Sequence, residues 1–408
     1  MMDNKERRAA FGPLPELTKK SESKIIMLVI DGLGGLAGAD GRTEMETAKL
    51  PNLDRVASEG VCGMVDTVAP GIAPGSGPGH LGLFGYDPLR FLIGRGALSA
   101  AGIGFKLETG DVAARMNFCT IDGAGKITDR RAGRIPTEKN RELLEKLRKI
   151  KIAGVEIFLE AEREYRGLAV FRGKGLGHAV SDTDPQATGV PALAAKGEDA
   201  ASEKTAKIAN QFLAEVKKAL AKEQPANFIT LRGFDTKPDI PTLGELYHLK
   251  SAGIATYPMY RGLAHYVGMT VPTEGIEGFG DELATLKKLY KEFDFFFIHY
   301  KYTDSAGEDG DFARKVQKLE EVDATVPKLL ELNPDVLVVT GDHSTPAVYK
   351  GHSWHPVPVA LRAKFARRDG VKAFNETACT AGGLGRMPAK NLMGLMLAHA
   401  GKVDKYGA

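Results

Sequence analysis

Three uninterrupted apolar runs constrain the fold of this chain more than any other feature. They are Lys24–Ile30 (KIIMLVI), Phe293–His299 (FDFFFIH) and Val336–Thr340 (VLVVT). Each has the length of a strand and lacks polar alternation, so both of its faces must be buried. That is the signature of a parallel sheet covered by helices. The intervening stretches Leu50–Glu59, Met259–Val267, Asp281–Lys291 and Phe312–Leu332 carry helical patterns. The β/α alternation predicts parallel strands joined by helical crossovers. Val357–Leu361 reads as a last strand and Asn391–Ala400 as a closing helix.

In such sheets ligands bind beyond the carboxyl ends of the strands. The first run ends on Asp31, the second is followed by Asp304, and the third stops at Gly341-Asp342-His343, with His352 and His355 close behind. Taken alone, Asp342 and His343 fit a capping carboxylate and a surface imidazole. Acidic residues arriving from three separate strands are not what capping produces. A mixed Asp/His set suits two divalent cations that bridge an oxyanion. Between the first strands lies Pro70–His80 (PGIAPGSGPGH), with Ser76 at its centre. That serine reads either as a helix cap or as a nucleophile activated by metal and helix dipole.

Gly32–Ala37 matches the loose dinucleotide pattern G-x-G-x-x-[GA]. An anionic Asp31 beside the position of a pyrophosphate, and a polar continuation through Asp40 and Arg42, argue against that use.

From about Gly94 the character changes. Short strand-like pieces (Asp111–Thr120, Val155–Glu160, Leu168–Arg172, Asn227–Leu231) alternate with the longer polar helices Thr137–Ile150 and Ala200–Lys222. The expected organisation is a flexible arm over 1–23, a split α/β core over 24–94 and 251–408, and a mixed domain inserted at 95–250. The run Asp129-Arg130-Arg131-Ala132-Gly133-Arg134 is either a solvated loop or a guanidinium clamp for carboxylate or phosphate.

A net charge of +3, without a Lys/Arg run interleaved with aromatics, argues against nucleic acid as a partner. The apolar runs are too short to span a membrane, and the first 23 residues hold no apolar signal segment. Three cysteines without CxxC spacing point to reduced thiols and a cytoplasmic protein.

The ordered motifs IDGLGG (Ile30–Gly35), GSGPGHLGLFGYDP (Gly75–Pro88), IGRGAL (Ile93–Leu98), GDVAARMNF (Gly110–Phe118), DRRAGRI (Asp129–Ile135), VSDTDP (Val180–Pro185), TGDHSTP (Thr340–Pro346) and ACTAGGLGR (Ala378–Arg386) run through the chain. In these the sequence resembles the cofactor-independent phosphoglycerate mutases of archaeal type, in the alkaline phosphatase superfamily, from Lys24 to about His399. The resemblance implies an α/β fold: an alkaline-phosphatase-like core with a mostly parallel central sheet flanked by helices, plus a smaller inserted α/β substrate-binding domain. It implies interconversion of 3-phosphoglycerate and 2-phosphoglycerate through a phosphoserine on Ser76, with two divalent ions, Mn²⁺ or Mg²⁺, and without 2,3-bisphosphoglycerate.

One metal would be held by Asp31, Ser76, Asp342 and His343. The other would be held by Asp304, the residue four positions later, and His352. Substrate contacts would come from His80, Arg115, Asp129, Arg130, Arg134 and Arg261. One departure stands out: the family has histidine four residues after the equivalent of Asp304, and this chain has Glu308. A carboxylate still binds a hard divalent ion, although His299 or His355 offers an alternative imidazole. The rival reading is a metal-dependent phosphohydrolase or phosphotransferase for another small phosphorylated acid or amino acid. A catalytically inactive binding protein would not need so complete a ligand set.

Overall fold

The computed structural model describes residues 4–407. The chain forms two compact units, one comprising residues 1–92 and 240–408 and the other residues 93–239.

The first unit is built on a seven-stranded sheet. Across it lie, in order, Gly385–Pro388, Val61–Asp66, Val357–Ala363, Val336–Thr340, Ile25–Ile30, Phe295–Tyr300 and Ser251–Ile254. The three apolar runs lie side by side at the middle and are fully buried, as their lack of alternation requires. They are parallel, with Ile25 in register with both Val336 and Phe295. Because the register is level, the strands end together, and the residues after Ile30, Tyr300 and Thr340 emerge on one rim.

Two features differ from the expected pattern. Val357–Ala363 is antiparallel to both neighbours. It therefore starts at the rim where the parallel strands stop, which brings the preceding His352 loop there as well. It is also not the last strand, because Gly385–Pro388 adds a parallel edge beside Val61–Asp66. That tetrapeptide has no apolar run to announce it.

The expected helix Phe312–Leu332 is two helices, Phe312–Asp323 and Val326–Glu331, with Pro327 in the first turn of the second. Proline lacks the N–H that would have continued the first helix. The expected flexible arm is also partly ordered: Asn4–Phe11 and Leu14–Leu17 are helical. Phe11 stacks on Phe91 with ring centroids 5.3 Å apart and meets Tyr86 edge-on at 5.6 Å. Together with the pairing of Thr18 with Val403, this aromatic contact holds a segment whose high charge suggests disorder.

The second unit is an antiparallel sheet. Asp111–Ile121 pairs with Arg166–Arg172 and Phe228–Asp235, Glu156–Arg163 flanks Arg166–Arg172, and Ile127–Asp129 extends the other end. Leu143, Leu144 and Leu147 from the Thr137–Leu147 helix and Phe212 and Val216 from the Ala200–Ala219 helix share one core with Phe118 and Phe171 of the sheet.

Candidate metal centre

The rim of the parallel strands gathers most of the expected metal ligands. Asp31, Asp342 and His343 are completely buried, and Asp304 is 2% exposed. One ligand atom from each of Asp31, Asp342 and His343 can be chosen so that all lie within 4.8 Å of one another, and the same holds for Asp304, His343 and His352. His343 is common to both clusters.

Backbone geometry makes this proximity attainable. Gly32, directly after Asp31, has φ +64°, and a Cβ there would stand 2.9 Å from the Cα of Asp304. Only glycine meets both demands cheaply. Ser76 opens the helix Ser76–Leu83 after Gly75. Its Oγ lies 3.2 Å from His343 Nε2. A Cβ at Gly79, one turn further on, would collide with the backbone carbonyl of Asp342. The glycine-rich loop thus lets the helix lie directly on the ligand strand.

The hydrogen bonds orient the imidazoles. His352 Nδ1 is 2.7 Å from the carbonyl of Pro74 and donates to it, which turns Nε2 toward Asp304 Oδ1 at 3.5 Å. His343 Nδ1 is 2.9 Å from Thr345 Oγ1, and that hydroxyl donates to Asp304 Oδ1 at 2.9 Å. With its single proton committed, the hydroxyl accepts from Nδ1–H, and His343 Nε2 is directed at Asp31, Asp342 and Ser76. Backing one ring nitrogen so that the other faces a metal is the usual outer-layer device. The two rings stack, centroids 3.6 Å apart.

The electrostatics call for positive charge. Burial opposes ionisation of Asp31, but Lys301, His299 and His343 outweigh it and hold the carboxyl well below its ordinary range. Burial likewise resists ionisation of Asp304, and Lys301 overcomes it to bring the group down to about 2. For His343, burial favours the neutral ring, yet Asp342 and Asp31 push it up to about 10. A proton held that tightly on Nε2 marks a place where a cation belongs. Asp31 Oδ1 and Asp342 Oδ2 are buried, and the protein group that faces both is the Nε2 of His343, at 3.3 and 3.2 Å. Buried carboxylate oxygens left over beside imidazole nitrogens fit a divalent ion of the Mn²⁺ or Mg²⁺ kind.

The remaining expected residues are placed as follows. Glu308 ends the helix Tyr302–Glu308, one turn after Asp304 and on the same face. Its carboxylate is half exposed and 4.0 Å from His352 Nε2, at the edge of the second cluster. Of the alternative imidazoles, His299 faces Asp31 Oδ2 at 3.1 Å, and His355 bonds Ser353 and stacks on Trp354. His80 is buried against Asp342, its Nδ1 3.3 Å from Oδ2 and 2.8 Å from the Ser76 carbonyl. Arg261 donates to the carbonyls of Ala255 at 2.7 Å and Ile276 at 3.2 Å.

In the second unit, Arg130 forms a two-pronged pair with Asp184 at 3.0 and 2.8 Å. Asp129 accepts from the backbone of Arg131 and Gly133 at 2.7 and 2.6 Å. This ties down a turn in which Ala132, Gly133 and Arg134 all have positive φ. Arg134 is exposed there. Arg115 is buried, its Nε 3.6 Å from Glu162.

Several groups beside the ligands lie outside the expected set. Tyr260 donates to Asp31 Oδ2 and stacks on His299, centroids 3.6 Å apart. Lys301 reaches both Asp31 and Asp304. Lys315, fully buried, donates to the carbonyls of Gly34 at 2.9 Å and Thr345 at 2.8 Å, joining two ligand loops. Lys301 stands three residues before Asp304, a helical spacing that could have signalled the pair. The others act across strands and leave no local signal.

Comparison with known proteins agrees with this geometry. Residues 57–227 match the family model described as 2,3-bisphosphoglycerate-independent phosphoglycerate mutase. A relative from Thermus thermophilus, named a probable enzyme of that kind, is 51% identical over 98% of this chain and 99% of its own length. One of the same name from Aquifex aeolicus is 46% identical over 97% of this chain and 99% of its own. Among solved structures, the PH0037 protein of Pyrococcus horikoshii matches with a TM-score of 0.82 and 28% identity, covering 95% of this chain and all of that one. The cofactor-independent phosphoglycerate mutase of Thermoplasma acidophilum matches with a TM-score of 0.66 and 28% identity, over 93% of this chain and all of that one. With half of its residues shared along nearly its whole length, the chain belongs to the family of 2,3-bisphosphoglycerate-independent phosphoglycerate mutases.

Proposed function

We propose that this protein interconverts 3-phosphoglycerate and 2-phosphoglycerate without 2,3-bisphosphoglycerate, and that Ser76 carries the phosphoryl group between the two hydroxyls. The observation that supports this most directly is Ser76 Oγ at 3.2 Å from His343 Nε2, the imidazole common to both ligand clusters. Two Mn²⁺ or Mg²⁺ ions, when bound, would lower the pKa of the serine hydroxyl and neutralise charge on the transferring phosphoryl group.

The chain's own residues supply the rest. Asp31, Asp342, His343 and Ser76 make one ligand set, and Asp304, His352 and Glu308 the other. The helix opened by Ser76 holds the hydroxyl at its amino end, where backbone N–H groups favour an anion. His80 fixes the serine loop through the Ser76 carbonyl and backs Asp342. We assign the glycerate carboxylate and hydroxyls to the guanidinium groups of Arg115, Arg130 and Arg134, with Asp129 shaping their loop and Arg261 fixing the start of its helix. A mutase must retain the dephosphorylated glycerate while it reorients, a need that a hydrolase lacks. A reducing, cytoplasmic setting fits Cys62, Cys119 and Cys379, which are buried and free. Among the described residues no helix is long and apolar enough to cross a membrane.

The test is an assay with purified protein, Mn²⁺ or Mg²⁺ and 3-phosphoglycerate, following 2-phosphoglycerate and free phosphate without added 2,3-bisphosphoglycerate. Formation of 2-phosphoglycerate with little phosphate is expected. Phosphate release without isomerisation would instead establish a phosphohydrolase, and no turnover with either metal would overturn both.

A further inference from the structure

Lys301 follows directly on the strand Phe295–Tyr300, so its backbone stands on the ligand rim. Its Nζ lies 3.0 Å from Asp31 Oδ2 and donates to Asp304 Oδ2. These carboxylates belong to different clusters, one with Asp342 and the other with His352. Lys301 is thus a covalent cation that ties the two halves of the centre together.

The division of oxygen atoms shows what this contact does. Each carboxylate gives its Oδ2 to Lys301 and turns its Oδ1 toward imidazole: Asp31 Oδ1 is 3.3 Å from His343 Nε2, and Asp304 Oδ1 is 3.5 Å from His352 Nε2. Without a positive group between them, two buried carboxylates would repel each other. An ammonium shared by the two Oδ2 atoms couples the orientation of both, alongside Thr345 on Asp304 and His299 on Asp31, and offsets their mutual repulsion, which is strong where water is scarce. Tyr260 reinforces the arrangement by donating to the same oxygen of Asp31, and the Lys301 ammonium lies 5.8 Å from the centre of its ring.

We propose that Lys301 is a positioning residue for both metal sites at once, a third and permanent cation that presents Asp31 and Asp304 to the incoming ions through their Oδ1 atoms. This rests on the metal-centre reading above. It adds a specific consequence: the two sites are linked through one side chain, so its loss is felt at both.

The experiment measures Mn²⁺ binding by calorimetry, and by the electron paramagnetic resonance signal of the bound ion, for wild type, Lys301→Met, Lys301→Arg and His352→Ala. Lys301→Met is expected to weaken both sites together by about 10- to 100-fold, the usual range for outer-layer partners of metal ligands. Lys301→Arg, which keeps the charge, should restore most of the loss at both sites, whereas His352→Ala should weaken one site only. Wild-type affinity in Lys301→Met, tighter binding, or loss confined to one site would overturn the proposal. Should Lys301→Met fail to fold, Lys301→Gln removes the charge while keeping a donor, and the same outcomes apply. If wild type itself binds no Mn²⁺, the metal-centre reading fails; if wild type binds two ions and the variants do not differ, only the role of Lys301 fails.

Discussion

The hydroxyl of Thr345 joins His343 to Asp304: it accepts from His343 Nδ1 and donates to Asp304 Oδ1, each at 2.9 Å. One hydroxyl thereby sets the ring orientation of the shared imidazole and the carboxylate of the second cluster. Thr345→Val keeps the shape and removes the relay, leaving a buried N–H without an acceptor. It should cost about 1–3 kcal/mol of stability and about 10- to 100-fold in metal affinity. Thermal unfolding with and without chelator, alongside Mn²⁺ titration, checks both.

Ser76→Ala should abolish isomerisation, lowering kcat by about 10⁴-fold or more, while the fold stays intact. Circular dichroism and Mn²⁺ binding would show whether the loss is chemical. Residual turnover near the wild-type rate would remove Ser76 as the phosphoryl carrier.

Glu308→His replaces a half-exposed carboxylate 4.0 Å from His352 with an imidazole. Imidazole suits softer divalent ions than a carboxylate does. The ratio of activity with Zn²⁺ or Co²⁺ to that with Mg²⁺ should rise. An unchanged metal profile would place Glu308 outside the coordination sphere.

Gly79→Ala puts a methyl group against the carbonyl of Asp342, where there is no room for it. Overpacking of this kind costs about 1–3 kcal/mol, and the displaced helix should carry Ser76 away from His343. Calorimetric unfolding should show the first loss and Mn²⁺ affinity the second. The same substitution at Gly280, inside the helix Phe279–Leu289 with open space around its Cβ position, serves as the control.

Asp184 gives a pH-dependent prediction away from the metal centre. Burial opposes its ionisation, but the paired Arg130 guanidinium wins and lowers its pKa below the ordinary 3.8. For a carboxyl lowered on folding, the stabilisation is complete above the unfolded value and fades as pH falls through the folded one. Asp184→Asn should therefore be less stable than wild type by about 1–3 kcal/mol near neutrality. The gap should close as pH drops below 3.8, the unfolded value. Urea unfolding across that range measures it, and a gap that widened in acid would contradict the assignment.

Residues whose role follows from being next in the chain were legible in the sequence. Asp31, Asp342 and His343 terminate buried runs, and a level strand register is enough to bring them together. Tyr260, Lys315 and Thr345 were not legible, because their importance lies in contacts between neighbouring strands and helices rather than in any pattern along one of them. The reversed strand Val357–Ala363 was hidden for a related reason: apolar content reports burial and is silent on direction. The arginines of the second unit show the same limit: their run in the sequence does not announce that Arg130 pairs with Asp184, a partner 54 positions away.

The single reversed strand has a consequence for how the centre depends on its chain. Because Val357–Ala363 runs against its neighbours, the polypeptide leaves the rim after His343 and re-enters the sheet from that same rim. The segment between the two strands therefore never crosses the sheet, and it carries Asp342, His343, Thr345 and His352 together. Ser344 holds it closed, its backbone paired with Ser353 and its hydroxyl 3.1 Å from the carbonyl of His355. Local opening of this one loop would dismantle both clusters at once, so hydrogen exchange at the bonded amides of Thr345 and Ser353 should report the integrity of the entire centre.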